Sequence, residues 1–169
     1  MEQTGQKYIV NGEEIKARKK SNNKWFETQD SIRYWKYFAM PKIIYPNMTK
    51  FLPFVYDEKG LLTNQKCFIL TGKHLHYLTA FFNSSLFKYC FSDNFPALGE
   101  DRRELSKIFF DKIPVKEVSD EVDAEFRTLV LDIQSDYSDE KAKAIDQKIF
   151  ELYGLTPKER EAIGYIDIK

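Results

Sequence analysis

Hydrophobic and polar positions follow two different rhythms along this chain, and the change falls near Lys116. Before it, apolar residues come in short runs separated by turn residues, the pattern of strands and loops. Tyr8-Ile9-Val10 and the stretch from Glu13 to Arg18 flank Asn11-Gly12, which predicts a hairpin. Ile32, Trp35 and Phe38 share a side at helical spacing, so a helix is expected from an Asp30 cap to Phe38, with Pro41 ending it. Lys42-Ile43-Ile44-Tyr45-Pro46 reads as a central strand. Pro53-Phe54-Val55-Tyr56 and Cys67-Phe68-Ile69-Leu70 read as two more. Leu75, Leu78, Phe82, Leu86 and Tyr89 predict an amphipathic helix from about His74 to Phe91.

After Lys116 the period is helical throughout. Ser119 caps a helix with Asp120, Glu121 and Asp123 in its first turn, where carboxylates meet the positive end of the dipole. Its apolar stripe is Val122, Phe126, Leu129, Val130 and Ile133. Ser138 opens a second helix, with Ile145, Ile149 and Leu152 inward and Gly154 at its end. Thr156-Pro157-Lys158-Glu159 is a capping box with proline at the first helical position, so a short third helix follows. One stripe per helix is too little for a separate core, so these helices must pack on the sheet region or on a partner. The expected fold class is α+β: a small mixed sheet flanked by two helices, then a helical hairpin and a tail helix. The expected organisation is a recognition domain over 1–116 and a docking segment over 117–169.

Net charge hides this division, because it is zero for the whole chain. Residues 1–116 hold 19 Lys+Arg against 12 Asp+Glu, and residues 117–169 hold 7 against 14, so the two parts carry +7 and −7. A basic first part suits a polyanion, which the acidic last part would repel. Content of 43% hydrophobic and 15% aromatic residues belongs to a folded protein. No apolar run reaches the ~18 residues of a membrane span, and Met1-Glu2-Gln3-Thr4-Gly5 does not begin a signal peptide. Cys67 and Cys90 form no CxxC and read as reduced thiols, so a cytoplasmic setting is expected. The sequons at Asn47 and Asn83 are then chance matches.

Catalytic signatures are missing. The chain has no GxGxxG, no phosphate-binding GxxxxGK[ST], no HExxH, no GxSxG and no NPPY-type tetrapeptide for a flipped adenine. His74 and His76 at i,i+2 fall on different faces of a helix and do not share a metal. Asp57-Glu58-Lys59 echoes a nuclease set, but three consecutive turn residues do not converge on one ion. Neither a catalytic nor a metal site is expected.

Binding chemistry is better represented. Trp25-Phe26, Tyr34-Trp35-Lys36-Tyr37, Tyr45, Phe51 and Tyr56 interleave with bases, though each also suits a core. Asn47, Thr49 and Lys50 follow one strand. Asn64, Gln65 and Lys66 precede another, and Arg102 and Arg103 lie in a loop opened by Pro96 and Gly99. Arg and Asn or Gln in such loops read guanine and adenine edges in the major groove, while Lys42 and Lys50 near strand ends suit phosphates. The alternative is ordinary loop polarity. At the level of the whole chain, the rival is a protein-interaction module that works through the helical hairpin.

One ordered set of segments adds a resemblance. Trp25-Phe26-Glu27-Thr28-Gln29-Asp30 runs into Pro41-Lys42-Ile43-Ile44-Tyr45-Pro46, then Cys67-Phe68-Ile69-Leu70-Thr71-Gly72. Leu78-Thr79-Ala80-Phe81-Phe82-Asn83-Ser84-Ser85-Leu86-Phe87-Lys88-Tyr89 follows, and Phe110-Asp111-Lys112-Ile113-Pro114-Val115 closes the series. The order resembles the TaqI-like C-terminal specificity domain of adenine-specific DNA methyltransferases and of type IIG (Eco57I-like) restriction–modification enzymes. The helix and the Ile113-Pro114-Val115 run are also similar to target recognition domains of type I specificity subunits. Ile149-Phe150-Glu151-Leu152-Tyr153-Gly154-Leu155-Thr156 resembles that family's closing helix turn, which extends the likeness over about residues 24–164. The resemblance implies double-stranded DNA as partner, together with a methyltransferase domain, and in fused enzymes a nuclease domain, of the same or a partner chain. S-adenosylmethionine and Mg would belong to those domains and not to this chain, which is expected to be non-catalytic.

Overall fold

A computed structural model describes residues 6–16, 24, 33–51, 53–91, 94–97 and 102–165. The chain divides into two compact units, Met1–Lys36 and Tyr37–Lys169. The first holds the expected hairpin, β1 (Lys7–Val10) and β2 (Glu13–Lys16), with Tyr8 opposite Ile15. Asn11 and Gly12 both take positive φ, 52° and 85°, as a type I′ turn requires. Arg18 and Asp30 lie outside the described residues. What is described of the expected first helix, Arg33–Ala39, is a 3₁₀ helix.

The second unit is built on a three-stranded sheet in the order β5–β3–β6. β3 (Lys42–Pro46) is central, as its β-branched run suggests, with β5 (Val55–Asp57) and β6 (Cys67–Leu70) beside it. Both neighbours run antiparallel to β3, so the α+β class holds but the expected mixed sheet is antiparallel among the described residues. β5 and β6 are therefore parallel to each other, and residues 58–66 cross from one end of the sheet to the other. A second ribbon pairs β4 (Met48–Thr49) with β7 (Arg103–Glu104).

The helix expected from His74 to Phe91 is two helices, α1 (Leu75–Asn83) and α2 (Ser85–Phe91), broken at Ser84. Ser84 is extended, and its hydroxyl donates to the Phe81 carbonyl at 2.7 Å. This is the local side-chain bonding by which serine competes with a helix. The Ile108-Phe109-Phe110 run lies in a single turn, α3 (Lys107–Phe110). Phe54, Phe82, Phe87 and Phe110 meet at ring distances of 5.0–6.0 Å in the core.

The last helices match their caps. α4 (Asp120–Ser135) starts under Ser119, α5 (Asp139–Leu152) under Ser138, and α6 (Pro157–Ile163) under the full Thr156–Glu159 box. Phe126, Val130, Ile145, Ile149 and Phe150 are buried in the same core as Ile43, Phe54 and Phe81. Long-range side chains secure this packing. Asp123 accepts from the Tyr77 amide at 2.9 Å and pairs with His76 Nδ1 at 2.8 Å, so a residue of α4 caps α1. Asp146 of α5 accepts from the Ser85 amide at 2.8 Å and from its hydroxyl, capping α2. Gln134 takes both main-chain groups of Tyr56, and Asn83 both of Phe54. Two side-chain amides thus close the outer edge of β5 as a further strand would. Among the described residues no helix is long and apolar enough to cross a membrane.

Candidate nucleic-acid interface

Asn47 joins three loops at one end of the sheet. Its amide donates to the Lys66 carbonyl at 2.8 Å, and its carbonyl accepts from the Leu105 amide at 2.8 Å. One bond fastens the turn before β6, the other the strand after Arg102. The ribbon then sets Thr49 directly opposite Arg103 and Met48 opposite Glu104. Cross-strand partners share a face, so Thr49 and Arg103 are neighbours on one side of it. Three segments far apart in sequence meet here, and they carry Thr49, Lys50, Asn64, Gln65, Lys66, Arg102 and Arg103.

Within this group the geometry separates side chains that build loops from side chains the loops present. Thr49 Oγ1 accepts from the Phe51 amide at 3.0 Å and donates to the Phe51 carbonyl, forming a turn with Lys50 at its tip. Asn64 Oδ1 accepts from the Lys66 amide at 2.9 Å, and the Asn64 carbonyl from the Cys67 amide at 3.1 Å. That turn carries Gln65 at its tip. Asn47 Oδ1 is buried and has no hydrogen-bond partner among the described residues, so that oxygen does not face solvent. A bidentate contact to adenine needs an amide's oxygen and nitrogen together, and the turn engages Asn64 Oδ1 while burial removes Asn47 Oδ1. Lys50, Asn64, Gln65, Lys66 and Arg102 are exposed. Arg103 is half-buried, and its Nη1 donates to the Phe95 carbonyl at 3.3 Å.

Lys42 is corrected by the structure. It lies at the opposite end of β3, 0% exposed, with its ammonium bonded to Asp57 and, at 2.7 Å, to the Phe38 carbonyl. A phosphate cannot reach it. Burial alone would raise the Asp57 pKa. The Lys42 hydrogen bond, the Lys59 and Leu61 amides and the Lys42 charge outweigh burial and hold it below the usual carboxylate range. The Asp57-Glu58-Lys59 turn is therefore a structural clamp.

Sequence reading passed over Met48 at this end and named Phe51 only among aromatics that also suit a core. Met48 is 48% exposed and Phe51 57% exposed, so both keep apolar surface beside the cations. Their signal was the Met48-Thr49-Lys50-Phe51 run, where apolar and polar residues alternate without a second layer to bury them. Elsewhere, His74 and His76 pair with Asp120 and Asp123, at 3.0 and 2.8 Å. No cluster of three or more His, Cys, Asp or Glu that could hold a metal occurs among the described residues.

Among curated proteins, no relative matches this chain. A family model does match, over residues 3–115, which takes in the sheet, both ribbons and α1 to α3 but not the closing Ile149–Thr156 turn. Three joined loops bearing Lys, Arg and Gln fit what such a domain does, which is to recognise DNA sequence within restriction–modification enzymes. The chain belongs to the TaqI-like C-terminal specificity domain family.

Proposed function

We propose that this chain reads a specific double-stranded DNA sequence and directs an adenine-specific methyltransferase to it, alone or fused to a nuclease as in type IIG enzymes. The observation that carries this reading is the junction at Asn47, which gathers the basic and amide side chains of three loops at one end of the sheet. Lys50 and Lys66 hold phosphates. Gln65 and Arg102 meet base edges, with Arg103 beside Thr49 on the ribbon. A groove about 12 Å wide admits a two-stranded ribbon of this kind.

The chemistry belongs to a partner domain. A methyltransferase domain binds S-adenosylmethionine and extrudes the target adenine, and a nuclease domain, where present, holds Mg. This chain fixes where on the duplex they act. Residues 117–169 offer the surface on which that domain docks, since their acidic character turns them from DNA.

The test is methylation mapping with the intact enzyme. Gln65→Ala and Arg102→Ala should each relax the modified sequence at one position, a good bidentate contact being worth roughly 1–3 kcal/mol of discrimination. An unchanged modified sequence in both variants would overturn the assignment.

A further inference from the structure

The crossing segment, residues 58–66, is fastened at both ends. At its start the Asp57 carboxylate accepts from the Lys59 amide at 3.0 Å and the Leu61 amide at 2.9 Å. Asp57 is itself locked by buried Lys42. At its end the Asn64 turn and the Lys66–Asn47 bond hold it against the ribbon. Gly60, at φ 78°, makes the bend that follows Lys59. Between these anchors the loop carries Leu61, 53% exposed, and Leu62, 80% exposed. A leucine at a slack loop tip needs no explanation, since single exposed apolar residues are common. Two adjacent leucines held in water by a clamped loop, three residues before Gln65, do call for an occupant.

We propose that Leu62, with Leu61 beside it, is a specificity-determining apolar contact that reads the 5-methyl group of thymine in the major groove. The inference rests on the DNA-reading function proposed above and extends it to a chemistry that polar side chains cannot supply. Thymine is the one base that shows a methyl group in that groove, and apolar side chains recognise it by contact. The loop is suited to DNA by its charges. Lys59 and Lys66 flank the leucines and are exposed, while the one acid of the segment, Glu58, is paired with Arg127 at 3.5 Å. A protein partner fits less well, because lysine is depleted in protein interfaces and leucine is under-represented among their hot spots. Leu62 stands four residues from Lys66, at most roughly 14 Å along extended chain, so both reach one duplex within a few base pairs.

The experiment selects duplexes from a random library with the full chain, then replaces each thymine of the selected site by deoxyuridine, which removes only the methyl group. Wild type should lose about fourfold in affinity at one thymine, the worth of one buried methyl. Leu62→Ala should bind the thymine and deoxyuridine duplexes equally, with its melting curve unchanged. Selection of a defined site with no methyl dependence at any thymine overturns the leucine assignment and leaves DNA reading intact. Methyl dependence that persists in both Leu62→Ala and Leu61→Ala does the same. Failure to select any sequence overturns DNA reading itself. If the leucine variants instead lose capture of the purified methyltransferase domain while binding DNA normally, the leucines dock protein and the proposal is wrong.

Discussion

Lys42 opens β3 and Lys50 follows β4, and the difference between them is burial. Lys50 rides an exposed turn, where a phosphate can approach its ammonium. Lys42 has left water, and among the described residues Asp57 and the Phe38 carbonyl compensate. Removing one partner of such a pair strands the other charge. Lys42→Met should therefore cost about 3–5 kcal/mol of unfolding free energy in urea. Adding Asp57→Asn should recover part of the loss, because no charge remains, while the single amide oxygen keeps only one of the bonds from the Lys59 and Leu61 amides. The pair also sets an acid limit. Asp57 is held below its unfolded value of about 3.9, so its stabilisation is present above that pH and drains as pH falls through the lower folded value. Wild type should lose stability on acidification below about pH 4, and the double variant should lose less. Sequence alone could not separate the two lysines. Both follow or begin an apolar run, and the partner that buries Lys42 is fifteen residues away.

At the scale of elements, caps divide into those made by the next few residues and those made from afar. Ser119, Ser138 and Thr156 cap their own helices within three residues, so α4, α5 and α6 start where spacing and capping chemistry put them. α1 and α2 are capped by Asp123 and Asp146, from helices 46 and 61 residues onward. No local pattern announces that, and for the same reason the break at Ser84 was not legible in an unbroken apolar stripe. Asp123→Ala should cost about 1–2 kcal/mol in urea denaturation, by the loss of a cap and a histidine partner together. Asp146 behaves differently with pH. Burial raises its pKa, and the two Ser85 bonds only partly oppose it. A carboxyl raised in the folded state contributes most below its unfolded value, and that contribution is lost as pH rises through the folded one. Asp146→Asn keeps an acceptor for the Ser85 amide and a donor for its hydroxyl. It should flatten the fall in stability on the alkaline side of pH 4, as followed by thermal melts across pH. A variant as pH-dependent as wild type would remove Asp146 from the account.

For the molecule as a whole, the proposed reading makes the segregation of charge decide which surface meets DNA. Each neutralised phosphate releases counterions, so log K falls against log salt with a slope of about −0.9 per contact. The two cations assigned to phosphates at the Asn47 junction, Lys50 and Lys66, set the expected slope of the full chain at about −2. Lys50→Ala and Lys66→Ala should each flatten it by about one unit and weaken all sequences alike, because point charges on phosphates carry no sequence information. Lys42→Met should leave the slope unchanged once its lost stability is allowed for, since its charge is spent inside the protein. The acidic helices supply the control. Glu121 and Glu140 are exposed on the first turns of α4 and α5. If these helices stand away from the duplex by more than the ~8 Å screening length at physiological salt, Glu121→Gln and Glu140→Gln leave affinity there unaltered. A large gain in affinity from either would mean that the helices lie against the phosphates. The basic loops and the acidic helices would then share one interface with DNA, contrary to the division of labour that the +7 and −7 halves imply.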